Sequence, residues 1–479
     1  MGYSPSQNLE PQTQTQPHLL STSPSSFSGT MQPIFRNGPD SDTYEKARTA
    51  RLFNARIPAR YPTAIVLARD ERDVTEAVNL AITKHLRISI RSGGHSYASW
   101  SLRPHSVLVD LSGLRHCELD QESGVVQVSP GITGRELSDY LAERGRTFPV
   151  GHCPDVGLGG FLLGGGMGWD QPNLGWACEH ILAVDLVTAT NDPKLLHADA
   201  HQNSDLFWAA RGGGPAFPGI VTKFHLQTFP APSVMRSSGY VYDIIEYTEV
   251  FGWALEITAE FEDSIEVVAI GSYKDGIEHP CITIALIASS NDEEHITTIL
   301  EHVDRMHPPY VKSRWYNQDT TLSEQFDLKT KAYPKNHRYY VDNAFVRNDA
   351  DVASVLERAF TSLPTRQSLA LWTSLVPLSR RPLPDMALSM QSDHYFALYA
   401  IWGDGSRDSQ CMTWVDEVME GVARQSVGSY LGELDFRSRN TRYWGDGVWE
   451  RLMQIGRKWD PESRICGCLG LEGFLNPES

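Results

Sequence analysis

The sequence predicts an α+β fold in two parts, and three observations carry that expectation. The chain has 479 residues, more than one hydrophobic core usually serves. Short helices and short strands are mixed along its first half. Beyond Pro230 and Pro232 the texture changes, toward strands with helices set against them.

Residues 1–30 are rich in Ser, Gln, Pro and Thr, without a basic stretch followed by an apolar one, so they read as a disordered tail and not a secretory signal. Met1-Gly2 with Ser6 fits an acylation pattern only loosely. Order is expected from Met31. Residues 71–85 place Val74, Ala77, Val78, Ala81 and Ile82 at helical spacing. Leu86–Ile90, Ser106–Leu111 and Val125–Val128 read as strands. Thr133–Gly145 reads as a helix ended by its glycine. Ile181–Thr188 is a strand, Asp205–Ala210 a short helix, and Ile220–Phe229 a strand. In the second part Ile265–Tyr273, Cys281–Ala288, Met386–Met390 and Tyr395–Trp402 read as strands, Asp292–Met306 and Val448–Trp459 as helices. The expected organisation is a tail over 1–30, a first domain over 31–230 with its core at 58–230, a second over 231–429, and a closing segment over 430–479.

Composition narrows the function. The chain is 41% hydrophobic and 21% charged, with 59 acidic against 42 basic residues and a formal net charge of -17. That field repels phosphate backbones and anionic membranes, so no nucleic-acid or membrane partner is expected. No apolar run is long enough to suggest a membrane span, and a cytoplasmic location is expected by default. Seven cysteines are scattered without CxxC pairs or ligand-spaced His/Cys clusters, so neither a disulfide framework nor a metal site is indicated.

Three glycine-rich constellations carry chemistry. In Arg91-Ser92-Gly93-Gly94-His95-Ser96-Tyr97 a strand runs into two glycines, which admit close backbone approach to a ligand, and a histidine follows. Residues 151–169, GHCPDVGLGGFLLGGGMGW, present backbone N–H groups able to receive a pyrophosphate, interleaved with apolar residues. Residues 206–226 turn through Arg211-Gly212-Gly213-Gly214 into a strand. No G-x-G-x-x-G or Walker pattern occurs, so these are not the usual dinucleotide or triphosphate loops.

Together the three stretches resemble the FAD-binding (PCMH-type) domain of the vanillyl-alcohol-oxidase superfamily, and more narrowly the berberine-bridge-enzyme-like oxidases. The resemblance runs from about Pro58 to Pro230. It resumes at Tyr443-Trp444-Gly445, Trp449-Glu450-Arg451-Leu452 and Trp459-Asp460-Pro461, which look like the segment that returns to the flavin domain. It implies a two-subdomain FAD-binding domain beside an α+β substrate domain. It also implies FAD bound covalently twice, through His95 to the 8α-methyl carbon and through Cys153 to ring carbon C6. Arg91, Ser92, Gly93, Gly94, Ser96, Gly157, Gly160, Gly164, Gly165, Gly166, Gly219, Ile220 and Val221 would line FAD, mainly through backbone atoms. Val156 matches the position where a small aliphatic residue leaves O2 access, and Tyr97 a tyrosine beside the substrate.

Two positions depart from the family pattern. Phe161 stands where a histidine is usual. The closing Y-x-N-Y motif reads Tyr430-Leu431-Gly432-Glu433, so either Tyr430 or Glu433 is the expected catalytic base. A carboxylate suits that work when burial raises its pKa. The expected reaction is hydride transfer to flavin N5 from a small organic substrate, an alcohol, amine or sugar or a secondary metabolite, with O2 as acceptor. Fold does not fix chemistry, so a net cyclisation or isomerisation, or a dehydrogenase using another acceptor, stays open, as does the oligomeric state.

Overall fold

The computed structural model describes residues 31–260, 265–436 and 438–467; the expected tail and its acylation pattern lie outside them. The first long helix forms over Glu71–Thr83, started by Asp70, whose carboxylate accepts from the Asp73 N–H, as an N-terminus with unpaired donors requires. The helix expected from Thr133 forms over Gly134–Ala142, where Thr133 and Glu136 close a reciprocal capping box. Strands Val125–Val128, Ile181–Thr188 and Ile265–Tyr273 and helix Val448–Trp459 occupy the expected residues.

Three sheets and one short pairing hold these elements. In the first sheet Ser106–Asp110 lies between Ala64–Leu67 and Arg87–Arg91, all parallel, with Ile34–Phe35 antiparallel at the edge. The second is antiparallel, in the order Cys117–Asp120, Val125–Val128, Gly219–Gln227, Ile181–Thr188, Leu195–Asp199. Phe229–Pro230 pairs with Arg146–Thr147, and the chain then enters a third, antiparallel sheet. Its order is Ser313–Asp319, Val234–Asp243, Pro280–Ser290, Ile265–Tyr273, Leu369–Ser374, His394–Trp402, Arg338–Val346, Ser426–Gly428.

The inner strands of this third sheet are buried on both faces, so Pro280–Ser290 and His394–Trp402 read as apolar runs, while the edge strand Ser313–Asp319 is polar and partly exposed. Along His394–Trp402, Phe396, Leu398, Ala400 and Trp402 join a core with helices Tyr247–Glu260, Glu293–Met306, Val352–Thr361 and Asp408–Ala423. Tyr395, Ala397, Tyr399 and Ile401 point the other way, into the core shared with the first 230 residues. The period-2 alternation of a strand sends one set to each side.

The strand expected over Met386–Met390 does not form. That segment crosses to the first region, where the Ala387 and Leu388 N–H groups donate to the carbonyls of Trp208 and Arg211, so its backbone is satisfied outside any sheet. The C-terminal stretch does return to the first region. Trp459 Nε1 donates to Asp205 Oδ2 at 2.9 Å, and the Cys466 N–H reaches the Ile88 carbonyl at 2.7 Å. The six described cysteines are free thiols. No helix among the described residues is long and apolar enough to cross a membrane.

Candidate active site

A cavity of about 350 Å3 opens between the glycine-rich loops and the tyrosine face of the eight-stranded sheet. Its floor begins at Arg91. That guanidinium is buried and donates to Asp110 Oδ2 from Nε at 2.9 Å and from Nη2 at 2.7 Å, and to the carbonyls of Arg48 and Ala47. The strand end is thereby fixed, and only the Arg91 backbone is left for the cavity. Gly93 then crosses Gly157: a Cβ on Gly93 would lie 2.4 Å from the Gly157 nitrogen, and one on Gly157 would lie 2.5 Å from the Gly93 nitrogen. Two glycines are the condition for that crossing, and it welds two sequence-distant motifs into one surface. Gly160, on the short helix Leu158–Leu163, is exposed, with nothing within 4 Å of where a Cβ would be.

His95 and Cys153 both line this cavity. The His95 ring stacks on Phe53 at 4.0 Å between centroids, and its Nε2 lies 3.2 Å from Asp155 Oδ1. Burial works to raise the Asp155 pKa, but His95 and Lys335 outweigh it and hold the carboxyl well below its ordinary range, so it stays an anion beside the imidazole. Burial pushes the Cys153 thiol up to about 12, opposed by the Lys329 cation. Lys329 reaches the same cavity from helix Leu322–Ala332. Burial lowers its pKa, and Cys153, Glu266 and Glu433 oppose the drop.

The facing wall is made of side chains. Tyr97, Tyr333, Tyr395 and Tyr399 all line it, with Tyr333 and Tyr399 edge to face at 5.2 Å and Tyr97 and Tyr399 at 6.0 Å. Burial raises all four phenols well above their ordinary pKa, so they remain protonated donors at neutral pH. Glu433 is the one carboxylate among the described lining residues, and the Tyr395 hydroxyl donates to its Oε2. Asn343 fixes the turn that carries it: Nδ2 donates to the carbonyls of Tyr430 and Glu433 at 3.0 and 2.9 Å, and Oδ1 accepts from the Tyr430 N–H at 2.7 Å.

Most of the expected residues meet here. Arg91, Ser92, Gly93, Gly94, His95, Ser96, Tyr97, Cys153, Val156, Gly157, Gly160, Gly164, Gly219, Tyr430 and Glu433 line the cavity. Gly165, Gly166, Ile220 and Val221 do not. Ile220 and Val221 are buried in two different cores, since neighbouring strand residues face opposite ways. The N–H groups of Gly166 and Met167 donate to the Tyr430 hydroxyl at 3.1 and 3.2 Å. That phenol is therefore already engaged as an acceptor, and burial raises its pKa.

Phe53, Asp155, Lys329 and Tyr333 are not legible as site residues in the sequence. Asp155 carries a faint signal, two positions after Cys153 in the glycine-rich motif; Lys329 carries none, sitting in an ordinary polar helix. The residues fit a flavin: a floor of backbone with room over Gly160, an imidazole and a thiol on one cavity, and a carboxylate with a hydroxyl opposite.

The FAD binding domain family matches residues 62–194. The chain is 37% identical over 442 residues to the FAD-linked oxidoreductase nodO of Hypoxylon pulicicidum, covering 92% of this chain and 98% of that one. It is 37% identical to the FAD-linked oxidoreductase janO of Penicillium janthinellum, with 92% and 97% covered. Among solved structures it superposes on BBE-like 1 of Physcomitrella patens with a TM-score of 0.78 at 20% identity, covering 91% of this chain and 96% of that one. It superposes likewise on 6-hydroxy-D-nicotine oxidase of Arthrobacter nicotinovorans, with a TM-score of 0.77 at 20% identity and the same coverage.

Proposed function

We propose, from the premise that this chain belongs to the berberine-bridge-enzyme-like FAD-linked oxidoreductases, that it is an oxidase holding FAD by two covalent bonds, from His95 and from Cys153. The observation that carries the reading is their meeting on one cavity from separate segments, beside a floor made of backbone. Bound there, FAD would accept a hydride from substrate carbon and pass two electrons to O2.

The chain's own residues supply the rest. Glu433 takes the O–H or N–H proton of the substrate, because it is the one carboxylate among the described lining residues and the four tyrosines stay protonated. Tyr395 orients that carboxylate through its hydrogen bond. Tyr97, Tyr333 and Tyr399 offer ring faces and hydroxyls to the substrate, a combination suited to a sugar, an alcohol or amine, or a ring-bearing secondary metabolite. Tyr430 acts as a prop for the 166–167 backbone. Val156 lines the cavity as a small aliphatic group and leaves O2 a way in. A cytoplasmic location accompanies this reading, and the six described cysteines being free thiols is what supports it.

Denatured holo-protein is expected to stay yellow after acid precipitation. Peptide mapping should place the flavin on both the His95 and Cys153 peptides, and oxygen uptake should accompany substrate turnover. An intact mass equal to the polypeptide alone would sink the covalent reading.

A further inference from the structure

On the second, antiparallel sheet, far along the strand from the cavity-lining Gly219, three side chains converge that sequence spacing does not connect. Asp185 and His197 are direct cross-strand partners on neighbouring strands, and His225 sits on the strand at the other side of Asp185. His197 Nδ1 lies 2.6 Å from Asp185 Oδ1, and His225 Nε2 lies 3.1 Å from Asp185 Oδ2. One ligand atom from each of the three falls within 4.8 Å of the others. The two rings stand edge to face at 5.2 Å. All three side chains are partly exposed, so an ion can reach them.

We infer that Asp185, His197 and His225 form a surface site for one divalent transition-metal ion, with Zn2+ the best match and water completing the shell. Two imidazoles and one carboxylate with an open position are a donor set that favours Zn2+, Ni2+ or Cu2+ over Mg2+ and Ca2+. The orienting partner is also present. The 2.6 Å contact from His197 Nδ1 to Asp185 Oδ1 places the ring proton on Nδ1; ion binding has to move that proton to Nε2, where Asp199 Oδ2, 3.5 Å away, is the group beside it. This carboxylate–histidine–metal arrangement fixes the tautomer of a ligating imidazole. One opposing group is present: Lys223 Nζ lies 3.7 Å from Asp185 Oδ2, and a bound cation has to displace it. The ion would strap the edge strand Leu195–Asp199 to the two strands inside it.

The test uses the full holoenzyme, stripped of metal. Calorimetric titration with ZnCl2 is expected to show one equivalent bound and MgCl2 none, with a rise in melting temperature. Cu2+ electron paramagnetic resonance should show hyperfine splitting from two nitrogens, reduced to one in His197→Ala and in His225→Ala. Asp199→Asn should weaken Zn2+ by about 10-fold, and Lys223→Gln should tighten it by about 2- to 5-fold. Stoichiometric Zn2+ binding that survives in the His197→Ala/His225→Ala double variant, or a Cu2+ spectrum without nitrogen splitting, would overturn the site. So would the absence of Zn2+ binding to the wild-type protein.

Discussion

On one side of the cavity Gly93 and Gly157 bring two backbones into contact, and on the other Tyr333, Tyr395 and Tyr399 fill the space with rings. The first wall is defined by the absence of side chains, the second by their presence. A backbone wall tolerates almost no substitution, since any Cβ at the crossing collides with atoms that cannot move. A side-chain wall can be rebuilt residue by residue on an unchanged sheet, because the opposite face of each strand carries its own packing against helices. The division suits a protein that keeps one cofactor and adapts to a particular substrate.

The sharpest way to break that division lies on the side-chain wall. Glu433→Gln is expected to lower flavin reduction by substrate about 100- to 10,000-fold with flavin content unchanged, read by anaerobic rapid mixing. An unaltered reduction rate would move the base elsewhere, and Tyr430 would return as the candidate. On the backbone wall the expected loss is in stability. Gly157→Ala places a methyl 2.5 Å from the Gly93 nitrogen and should cost about 1–3 kcal/mol in denaturant unfolding; a neutral result would mean that the two backbones can move apart at little cost.

Gly160→Ala separates the two effects. No atom lies within 4 Å of the new methyl and the position is helical, so flavin-free protein should gain up to about 1 kcal/mol while FAD incorporation drops. Full FAD loading in that variant would show that Gly160 is not part of the flavin floor. The smallest effect concerns the contact between the walls. The thiolate is the reactive form of cysteine, and the Cys153 thiol is pushed up to about 12. Its alkylation in flavin-free protein should therefore be slow at neutral pH and climb steadily as pH rises toward that value. Lys329→Met removes the cation that opposes the rise, so it should slow alkylation a few-fold at pH values below the lowered Lys329 pKa and leave it unchanged above, where Lys329 is neutral. Equal rates in both proteins at the lower pH values would leave Lys329 without influence on Cys153.

Legibility in the sequence follows the same division. Glycine runs are spelled out locally, so the two segments that cross at Gly93 and Gly157 stand out from the residue pattern, and the family resemblance is what singles out His95 and Cys153 within them. The two walls differ again in what the pattern overstates. Ile220 and Val221 sit next to a lining glycine in sequence, yet strand alternation turns both into cores. Met386–Met390 has a strand's composition, but its N–H groups find carbonyls on the first region in place of a ladder.

By itself the sequence determined the helix and strand periods and the glycine runs of the first region, because each depends on neighbours within a few residues, while the pairing of His95 with Cys153 was implied by the family resemblance. Only the tertiary structure decided which tyrosines face the cavity, that Lys329 enters it, that Tyr430 is occupied by two backbone N–H groups, and that Asp185, His197 and His225 meet. Those outcomes depend on strand register and on how separate sheets pack, and a contact between residues distant in the chain leaves no local pattern to read.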